Sequence, residues 1–429
     1  MPKHIGHSLS PAKSDVMRTL AERGFLHQCT DLIKLDDQLR QGPIVVYSGF
    51  DLTANSLHVG HLVPIMMLRW FQHFGHKPIV LLGGATSRIG DPSLRNIMRP
   101  MLDEDEIALN VDGIRVVFEK LLTFGMKQND ALLVSNTDWL DDLCYVDFLR
   151  HVARHFSVNR MLSSETVRSR LRREQSLSLL EFSYAVIQAY DFVHLARHHG
   201  CVLQLGGSDQ WGNIVAGVEL GRRIDSRNLF GITAPLLTTA SGAKMGKSNA
   251  GAVWLNSDRL SSYDFWQFWR NTSDADVGRF LRLFTKLSID EIERLEGLRG
   301  EEVNDAKKIL ADAVTGLCHG EAASTSARET AHAAFERASA PSGLPTVRVE
   351  LVGTGVGMSI VDLLLVAKLV ASKSEAKRLI LGRGARVNDE LVLDPTMQLF
   401  ESDVQETDIK LSAGRKRHAI VRVIGRQAM

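Results

Sequence analysis

Two histidines separated by two residues mark the segment with the clearest potential for chemistry. His58 and His61 follow an apolar run that ends at Tyr47, and they precede an amphipathic segment, so the pattern predicts a helix that begins near His58. On a first helical turn, side chains three residues apart project to one side, beside amides with partial positive charge. Gly60 leaves room there for a flat group. The segment predicts an anion site, although alone it fits ordinary helix capping better.

A second set of charges lies in the segment SGAKMGKS at 241–248. Lys244 and Lys247 are three residues apart in a stretch with two glycines. Two lysines in a polar loop are more often only solvated surface. The interpretation as a site gains weight because the loop follows the histidine motif after a complete run of alternating strands and helices.

A third candidate is a polar stripe on a predicted helix in EFSYAVIQAYDF at 181–192. Tyr184, Gln188 and Asp191 recur at helical spacing and therefore share one face. A stripe of this kind either faces solvent or lines a pocket, and by itself solvent is the more usual outcome.

The elements that must position these residues form an alternating pattern between residues 43 and 235. Short apolar runs alternate with longer amphipathic segments, which predicts an α/β fold with a doubly wound, Rossmann-like parallel sheet. Ligands of such sheets bind outside the carboxyl ends of the strands. The predicted strands are 43–47, 78–84, 131–134 and 201–207.

The two charged motifs together resemble the HIGH and KMSKS signatures of class I aminoacyl-tRNA synthetases. The resemblance implies that His58, His61 and the nearby Thr53 stabilise the α-phosphate of ATP while an amino acid carboxylate attacks it. It also implies that Lys244 and Lys247 hold the leaving pyrophosphate. A plain nucleotidylyltransferase would explain only the first motif and would leave the C-terminal part of the chain without a role.

The polar stripe is similar to the amino-acid-binding helix of bacterial tyrosyl-tRNA synthetases, and this similarity favours a pocket over solvent. It implies that Asp191 accepts the phenolic proton of tyrosine and that Tyr47 lies on the other side of the phenol. An analogue without the hydroxyl would leave both buried groups unpaired. Other matching residues are expected to hold the ammonium or reach the substrate. The full set of predicted tyrosine-binding residues is Tyr47, Asp91, Tyr184, Gln188, Asp191 and Gln204.

The resemblance also implies a set of nucleotide-binding residues in the loops around the histidine motif and after the strand at 201–207. Leu52 replaces a frequent proline and Asn55 an aspartate, which we expect to loosen the loop without removing a ligand. Ser48 stands where many relatives have cysteine, and Gly246 stands where the common lysine loop has serine. The predicted ATP-binding residues are Ser48, Gly49, Asp51, Gly60, Gly207, Asp209, Gln210 and Lys247.

Four regions are predicted along the chain. Residues 1–235 form the catalytic domain, 236–338 the lysine loop and a helical anticodon-side domain, 339–357 a linker rich in Pro, Gly and Ser, and 358–429 a small α+β domain. The last resembles the RNA-binding domain named after the fourth protein of the small ribosomal subunit. Its basic residues form a predicted patch for phosphates. The members of this patch are Lys373, Lys377, Arg378, Arg383 and Arg386.

The stretch from Arg150 to Arg173 contains seven arginines and one acidic residue, Glu165. Two interpretations fit this stretch: contact with the tRNA acceptor stem, which the family resemblance implies, or a helix face that is simply exposed to solvent. The family forms homodimers through its catalytic domain, and apolar residues near this stretch could supply an interface or equally an ordinary core. These residues are Phe148, Val152, Phe156 and Met161.

Composition bounds the remaining possibilities. The 429 residues include 44% hydrophobic and 24% charged residues, with a formal net charge of +1, which fits two or three globular domains. Four dispersed cysteines without a CxxC pair, and no apolar run long enough to span a bilayer, predict a cytoplasmic protein without a zinc site. The expected partners are tRNA, L-tyrosine and ATP with Mg²⁺, without membrane, DNA or a tightly bound cofactor. The alternatives are a tryptophan-specific relative and a non-catalytic RNA-binding derivative.

Overall fold

The structure is a computed structural model that describes residues 12–93, 102–242, 245–248, 251–336, 344–349, 357–400, 408–414 and 417–423. Two compact units emerge. The first comprises residues 1–246, 254–256 and 273–298, and the second comprises 247–253, 257–272 and 299–429. Residues 273–298 thus group with the sheet, whereas the sequence places them in the helical region after it.

Eighteen α-helices are present in the described ranges, and their bounds follow in chain order. They are α1 Asp15–Glu22, α2 Leu32–Gln41, α3 Val59–His73, α4 Gly84–Ser87, α5 Glu104–Leu121, α6 Thr137–Leu140, α7 Tyr145–His151, α8 Val158–Leu162, α9 Glu165–Arg172, α10 Leu179–His199, α11 Trp211–Asp225, α12 Ser262–Arg270, α13 Asp274–Phe284, α14 Ile289–Glu296, α15 Val303–His319, α16 Glu321–Glu336, α17 Ile360–Val366 and α18 Lys373–Leu381. No described helix is long and apolar enough to cross a membrane.

The first unit is built on a six-stranded sheet. Its strands are β1 Gln28–Cys29, β2 Val45–Asp51, β3 Lys77–Gly83, β4 Leu132–Ser135, β5 Cys201–Gly207 and β6 Phe230–Ala234. Their order is β1-β6-β5-β2-β3-β4, and all pairs are parallel except β1 with β6. The predicted doubly wound α/β fold is confirmed. The winding reverses between β2 and β5, and in such sheets the reversal opens a crevice for ligands.

Helix α10 carries the polar stripe and is held at both ends. The Ser178 hydroxyl caps the first turn by accepting from the Glu181 amide at 3.2 Å, and Gly200 ends the helix in the left-handed conformation at φ 64°, which glycine adopts without strain. Phe192 and Leu195 pack with Tyr47 of β2 in one buried cluster. Burying each such side chain contributes about 1.5–3 kcal/mol, so α10 has a fixed position against the sheet.

Three helices form the core of the second unit, namely α12, α15 and α16. The Trp266 indole donates to Asp312 Oδ1 at 2.7 Å, and Arg328 pairs with the other oxygen of Asp312 at 2.9 Å. The Ser262 hydroxyl and His319 Nδ1 are 2.9 Å apart. Helix α12 is thereby joined to α15 and α15 to α16. The short strands β7 Lys247–Ser248 and β8 Gly251–Ala252, which pair antiparallel, also belong to this unit.

The C-terminal module contains α17, α18 and two small sheets. Its strands are β9 Thr346–Val349, β10 Met358–Ser359, β11 Ala385–Val387, β12 Glu390–Leu391, β13 Gln398–Leu399, β14 Asp408–Ala413 and β15 Arg417–Val423. The larger sheet has the order β12-β11-β14-β15-β9. Strand β9 pairs in parallel with β15, although it lies in the segment 339–357 that the sequence predicts as a linker. The core of the module includes the buried side chains of Leu364, Ile380 and Leu411.

Candidate active site

The reversal of the sheet brings two predicted site residues into direct register. Tyr47 of β2 lies opposite Gln204 of β5, and both side chains are buried. The Tyr47 hydroxyl and Gln204 Oε1 have no hydrogen-bond partner in the described part of the chain. Burial, reinforced by the charge of Asp191, raises the pKa of the Tyr47 hydroxyl well above its usual value. Buried polar groups are normally paired, so these two atoms fit a polar ligand.

Asp191 lies close enough to Tyr47 to influence its hydroxyl, and only 1% of its surface is exposed. Its carboxylate accepts from Asn136 Nδ2 at 3.0 Å and from the Trp139 indole N–H at 2.8 Å. Burial raises the pKa of Asp191 to about 7, although these two hydrogen bonds act in the opposite direction. Asn136 is itself oriented, because its Oδ1 accepts from the Ala85 amide at 2.8 Å. Sequence reasoning missed Asn136 and Trp139.

A second polar group surrounds Tyr184 of α10. The Tyr184 hydroxyl donates to Asp51 Oδ2 at 3.1 Å. Burial raises its pKa well above the usual value, and the charges of Asp51, Asp91 and Asp191 add to this effect. Three carboxylates therefore act on one hydroxyl. The sequence predicts Asp51 as an ATP-binding residue, and the structure adds its contact with Tyr184.

Amide side chains connect Asp91 and the polar stripe on α10 to the loop after β5. Gln210 Nε2 donates to Asp91 Oδ2 at 2.7 Å. Asn213 Nδ2 donates to Gln188 Oε1 at 3.0 Å and to Gln210 Oε1 at 3.2 Å. Gln188 is half-buried, so the stripe on α10 lines an interior region instead of facing bulk solvent. Asn213 links the α10 stripe to the loop after β5, and the sequence pattern contained no signal for it.

The histidine motif forms the start of α3, as the sequence predicts. His58 Nδ1 accepts from the Gly60 amide at 3.0 Å, and His61 Nδ1 accepts from the His58 amide at 3.2 Å. An imidazole nitrogen that accepts carries no proton, so in the neutral rings the proton is on Nε2. A Cβ at position 60 would lie 2.8 Å from His58 Cε1, which explains the need for glycine. The Gly60 amide is thus bonded to His58. The group of each histidine ring that can donate a hydrogen bond to an anion is the Nε2–H.

The loop between β2 and α3 is tied down in spite of its departures from the family pattern. The Leu52 amide donates to Ser87 Oγ at 2.7 Å, a bond that proline at this position could not make. The Leu52 carbonyl accepts from Asn110 at 2.8 Å. Leu52 therefore provides a donor that fixes the loop. Thr53 lies exposed in this loop, whereas Ser48 is buried on β2.

Two predicted nucleotide-binding glycines, Gly49 within β2 and Gly207 at the end of β5, differ in their surroundings. A Cβ at Gly207 would lie 2.5 Å from Asp209 Oδ1, whereas at Gly49 the nearest atom is 3.9 Å away. A side chain at position 207 would therefore displace the Asp209 carboxylate, whereas the space beside Gly49 is open.

The described backbone of the lysine loop accounts for the glycine that replaces serine. Gly246 has φ 136°, a conformation that residues with a side chain rarely adopt. The start of the loop is fixed by Asp276 of α13, whose carboxylate accepts from the Ala240 amide at 2.9 Å. Lys244 and the side chain of Lys247 lie outside the described residues.

The arginine-rich stretch is divided between buried and exposed side chains. Arg170 is buried and pairs with Glu181 at 2.6 Å. Burial acts to raise the pKa of Glu181, but hydrogen bonds from Ser178 and Arg170 hold it below its usual value. This ion pair secures the start of α10, so Arg170 is not available to RNA. The other six arginines are exposed. They are Arg150, Arg154, Arg160, Arg168, Arg172 and Arg173.

The apolar residues near this stretch form a core. Val152 is buried against Val186 and Leu220, and Phe148, Phe156 and Met161 pack on the same cluster. A different apolar set on α7 and α8 is exposed, with Tyr145 at 69% as an example. The other members are Val146, Leu149, Val158 and Leu162.

The predicted RNA-binding residues of the C-terminal module are all exposed and surround α18 and β11. The hydroxyl of Ser372 caps α18. Lys373 pairs with Asp362 at 2.7 Å, which reduces its contribution to a positive field. Arg386 donates to the Asp389 carbonyl at 2.8 Å. The remaining members of the patch are Lys377, Arg378 and Arg383.

Comparison with known proteins gives one consistent result. The family model described as tRNA synthetases class I (W and Y) matches residues 39–336. A tyrosine-tRNA ligase from Rhodospirillum rubrum is 55% identical over 416 residues, which cover 97% of this chain and 100% of that protein. One from Zymomonas mobilis is 54% identical over 409 residues, covering 95% and 98%.

Solved structures agree with these sequence relatives. A C-terminally truncated mitochondrial tyrosyl-tRNA synthetase from Aspergillus nidulans matches with a TM-score of 0.68 and 30% identity, covering 75% of this chain and 94% of that chain. A tryptophanyl-tRNA synthetase from Encephalitozoon cuniculi matches with a TM-score of 0.52 and 14% identity, covering 72% and 87%. The second similarity is one of fold alone.

Proposed function

This chain belongs to the family of class I tRNA synthetases for tryptophan and tyrosine, and we propose that it is the ATP-dependent, AMP-forming tyrosine-tRNA ligase. In the first step a carboxylate oxygen of L-tyrosine attacks the α-phosphorus of ATP, and the bond to the leaving pyrophosphate breaks. In the second step a hydroxyl at the 3′ end of tRNA attacks the carbonyl of tyrosyl-adenylate, and AMP leaves.

The choice of tyrosine rests on two buried groups near each other, the Tyr47 hydroxyl and the Asp191 carboxylate. A phenol can donate one hydrogen bond and accept another. Asp191 offers a carboxylate that can accept a hydrogen bond and that is held in place by Asn136 and Trp139. Tyr47 offers a buried hydroxyl that has no partner among the described residues. The indole of tryptophan has a donor but no acceptor, so it would leave the Tyr47 hydroxyl unsatisfied. This arrangement favours tyrosine over the tryptophan-specific alternative.

The ammonium group of the substrate has a matching negative region. Tyr184, Asp51 and Asp91 lie together, with Gln188 and Gln210 connected to them. A cation gains energy near such carboxylates, most strongly where water is partly excluded. We assign the ammonium to Asp91, Tyr184 and Gln188, as the family resemblance implies, with Asp51 as an additional negative charge.

The activation step is assigned to the start of α3 and to the lysine loop. His58 and His61 direct their Nε2 donors to the α-phosphate as charge develops on its oxygens, with Thr53 at the edge of the same loop. Lys244 and Lys247 hold the pyrophosphate of ATP, which enters as its Mg²⁺ complex. The remaining nucleotide contacts are assigned to Ser48, Gly49, Asp51, Gly60, Gly207, Asp209 and Gln210.

Amino-acid-dependent exchange of labelled pyrophosphate into ATP, measured for each of the standard amino acids, tests this function. We expect tyrosine to support exchange and tryptophan to be inactive at equal concentration. Exchange driven by tryptophan would overturn the specificity, and no exchange with any amino acid would favour the non-catalytic alternative.

The pKa of Asp191 predicts a pH-dependent specificity. With a pKa of about 7, this carboxyl is ionised above pH 7 and protonated below it. The protonated form lacks the negative charge that strengthens the hydrogen bond from the phenol of tyrosine. We therefore expect kcat/KM for tyrosine to fall as the pH decreases below 7, by up to about tenfold per pH unit. The measurement is pyrophosphate exchange between pH 5.5 and 9.

Phenylalanine provides the reference for this profile, because it makes no bond to Asp191 but depends on the same histidines and ATP. The ratio of kcat/KM for tyrosine to that for phenylalanine isolates the titration of Asp191. The fall in this ratio should disappear in Asp191→Asn. A ratio that is constant with pH in the unchanged enzyme would contradict the assignment.

Binding of tRNA is assigned to the exposed basic residues of the C-terminal module. Replacing Lys377, Arg378 and Arg383 with glutamine should weaken tRNA binding and leave tyrosyl-adenylate formation unchanged. Each lost phosphate contact lowers the slope of log K against log salt by roughly 0.7–0.9, so the triple variant should lose about two to three units of slope. Filter binding between 50 and 200 mM salt measures this slope.

A charge-matched control separates this local effect from the net charge of the chain. Lys34, Lys120 and Lys127 are exposed on the first unit, and their replacement with glutamine removes the same charge. The control should retain the original slope. Equal slopes for the two triple variants would show that the module patch does not contact phosphate.

A homodimer in the cytoplasm is the assembly that we propose. The exposed apolar residues of α7 and α8, which include Tyr145, Leu149 and Val158, support an interface there, because apolar and aromatic residues are concentrated at interface cores. We expect a dimer mass by light scattering at micromolar concentration, and a shift toward monomer in Leu149→Glu. The equivalent change Leu109→Glu, on the exposed side of α5, is the control. A monomeric, active unchanged enzyme would contradict the proposal.

A further inference from the structure

We propose that His194 is a positioning residue for tyrosine specificity, which acts by holding the Trp139 indole that donates to Asp191. The His194 and Trp139 rings are nearly parallel, with centroids 4.2 Å apart and an interplanar angle of 12°. The Trp139 N–H lies 2.8 Å from Asp191 Oδ1. This inference rests on the proposed activation of tyrosine and extends it by one residue.

The contact joins two elements that are distant in sequence. Trp139 belongs to α6, which follows β4, whereas His194 follows Asp191 by one helical turn on α10. The same helix therefore supplies both the carboxylate that receives the indole hydrogen bond and the imidazole that covers the indole face. Trp139 is 8% exposed and packs in the buried cluster that contains Phe192 and Leu195, and His194 is the ring stacked on its indole.

The orientation of the indole ring decides whether its N–H reaches the carboxylate. The N–H lies in the ring plane, and a hydrogen bond weakens steeply as its angle departs from linear. A flat ring against one face of the indole restricts rotation about the side-chain bonds of Trp139. Without His194 the indole would sample other orientations, and Asp191 would lose part of the pairing that holds it toward the phenol.

The stack continues from His194 to the surface. His198 lies one further turn along α10, with its ring centroid 4.2 Å from that of His194 and an interplanar angle of 28°. His198 is exposed. Burial lowers the pKa of His194 to about 4, and the charges of His198, His199 and Arg197 contribute to this shift. His194 is thus a neutral ring near pH 7, suited to stacking, and a neutral aromatic ring should be able to replace it.

The test measures kcat and KM for tyrosine and phenylalanine by pyrophosphate exchange in His194→Ala. Aromatic pairs contribute enough for about a three- to tenfold effect, which we expect as a higher KM for tyrosine and an equal fall in the preference over phenylalanine. The value of kcat should change little. His194→Phe should restore the preference, and His198→Ala, which changes only the outer ring, should leave it unaltered.

A double-mutant cycle tests whether the effect passes through the indole N–H. In a Trp139→Phe background the hydrogen bond to Asp191 is already absent, so adding His194→Ala should not reduce the preference further. A fully additive loss, or an unchanged preference in the single His194→Ala variant, would overturn the inference. A lower melting temperature with an unchanged preference would do the same, because it would show a structural role only. Failure of the unchanged enzyme to exchange with tyrosine would instead reject the proposed function.

Discussion

Replacing His58 with alanine is expected to slow tyrosyl-adenylate formation by about 100- to 1000-fold while changing tyrosine affinity little. His58 Nδ1 is bonded to the Gly60 amide, so its Nε2 carries the proton and can donate to the α-phosphate. Donors of this kind act mainly in the transition state, where removal of one costs about 2.7–4 kcal/mol. Single-turnover kinetics after mixing with ATP, together with equilibrium binding of tyrosine, measures the two quantities.

Because His58 also caps α3, a matched control must separate the effect of its loss on the reaction rate from the effect on stability. Alanine also removes the side chain that caps α3, and loss of a cap costs roughly 0.5–2 kcal/mol of stability. His58→Asn keeps a good capping residue but lacks the Nε2 donor. We expect the asparagine variant to regain stability against urea and to remain slow in adenylate formation. Recovery of the rate together with stability would assign His58 to helix capping alone.

Replacing Asp191 with alanine is expected to reduce kcat/KM for tyrosine by about 10- to 150-fold, as follows from the loss of a hydrogen bond to a charged group worth roughly 1.5–3 kcal/mol. The change also leaves the Trp139 indole N–H and one of the two Asn136 amide N–H groups without an acceptor, while the other Asn136 N–H keeps Thr86. Each unpaired buried donor costs about 1–3 kcal/mol of stability. Pyrophosphate exchange with tyrosine and phenylalanine, and urea unfolding, measure the two effects.

Tyr47→Phe is the companion variant for Asp191→Ala. Its hydroxyl has no protein partner in the described residues, so its removal leaves no newly unpaired group in the free enzyme and should cost no stability through hydrogen bonding. We expect a smaller loss for tyrosine, about two- to tenfold for a neutral hydrogen bond, and weaker discrimination against phenylalanine. Equal losses for tyrosine and phenylalanine in Asp191→Ala would contradict the role of this carboxylate.

Local sequence patterns were sufficient to predict those features that depend on neighbours along the chain. The helix start at His58 and the shared face of Tyr184, Gln188 and Asp191 follow from helical periodicity and capping preferences. The alternation of apolar runs predicted the doubly wound sheet in the same way. Each helix start, helix face or apolar run spans at most a few helical turns, so it can be read from neighbouring residues without knowledge of the fold.

Other features depend on contacts between distant segments and therefore appear only in the folded chain. Asn136 and Trp139, which follow β4, form hydrogen bonds with Asp191 of α10. Arg170 belongs to the basic stretch in sequence, but it is buried in an ion pair with Glu181. Strand β9 lies in a segment with linker composition, because parallel pairing with β15 requires only its backbone. The sequence alone thus predicts the residue types and the local geometry of the proposed site. The partners that set the charge and orientation of those residues come from long-range packing, which has no local periodicity to reveal it.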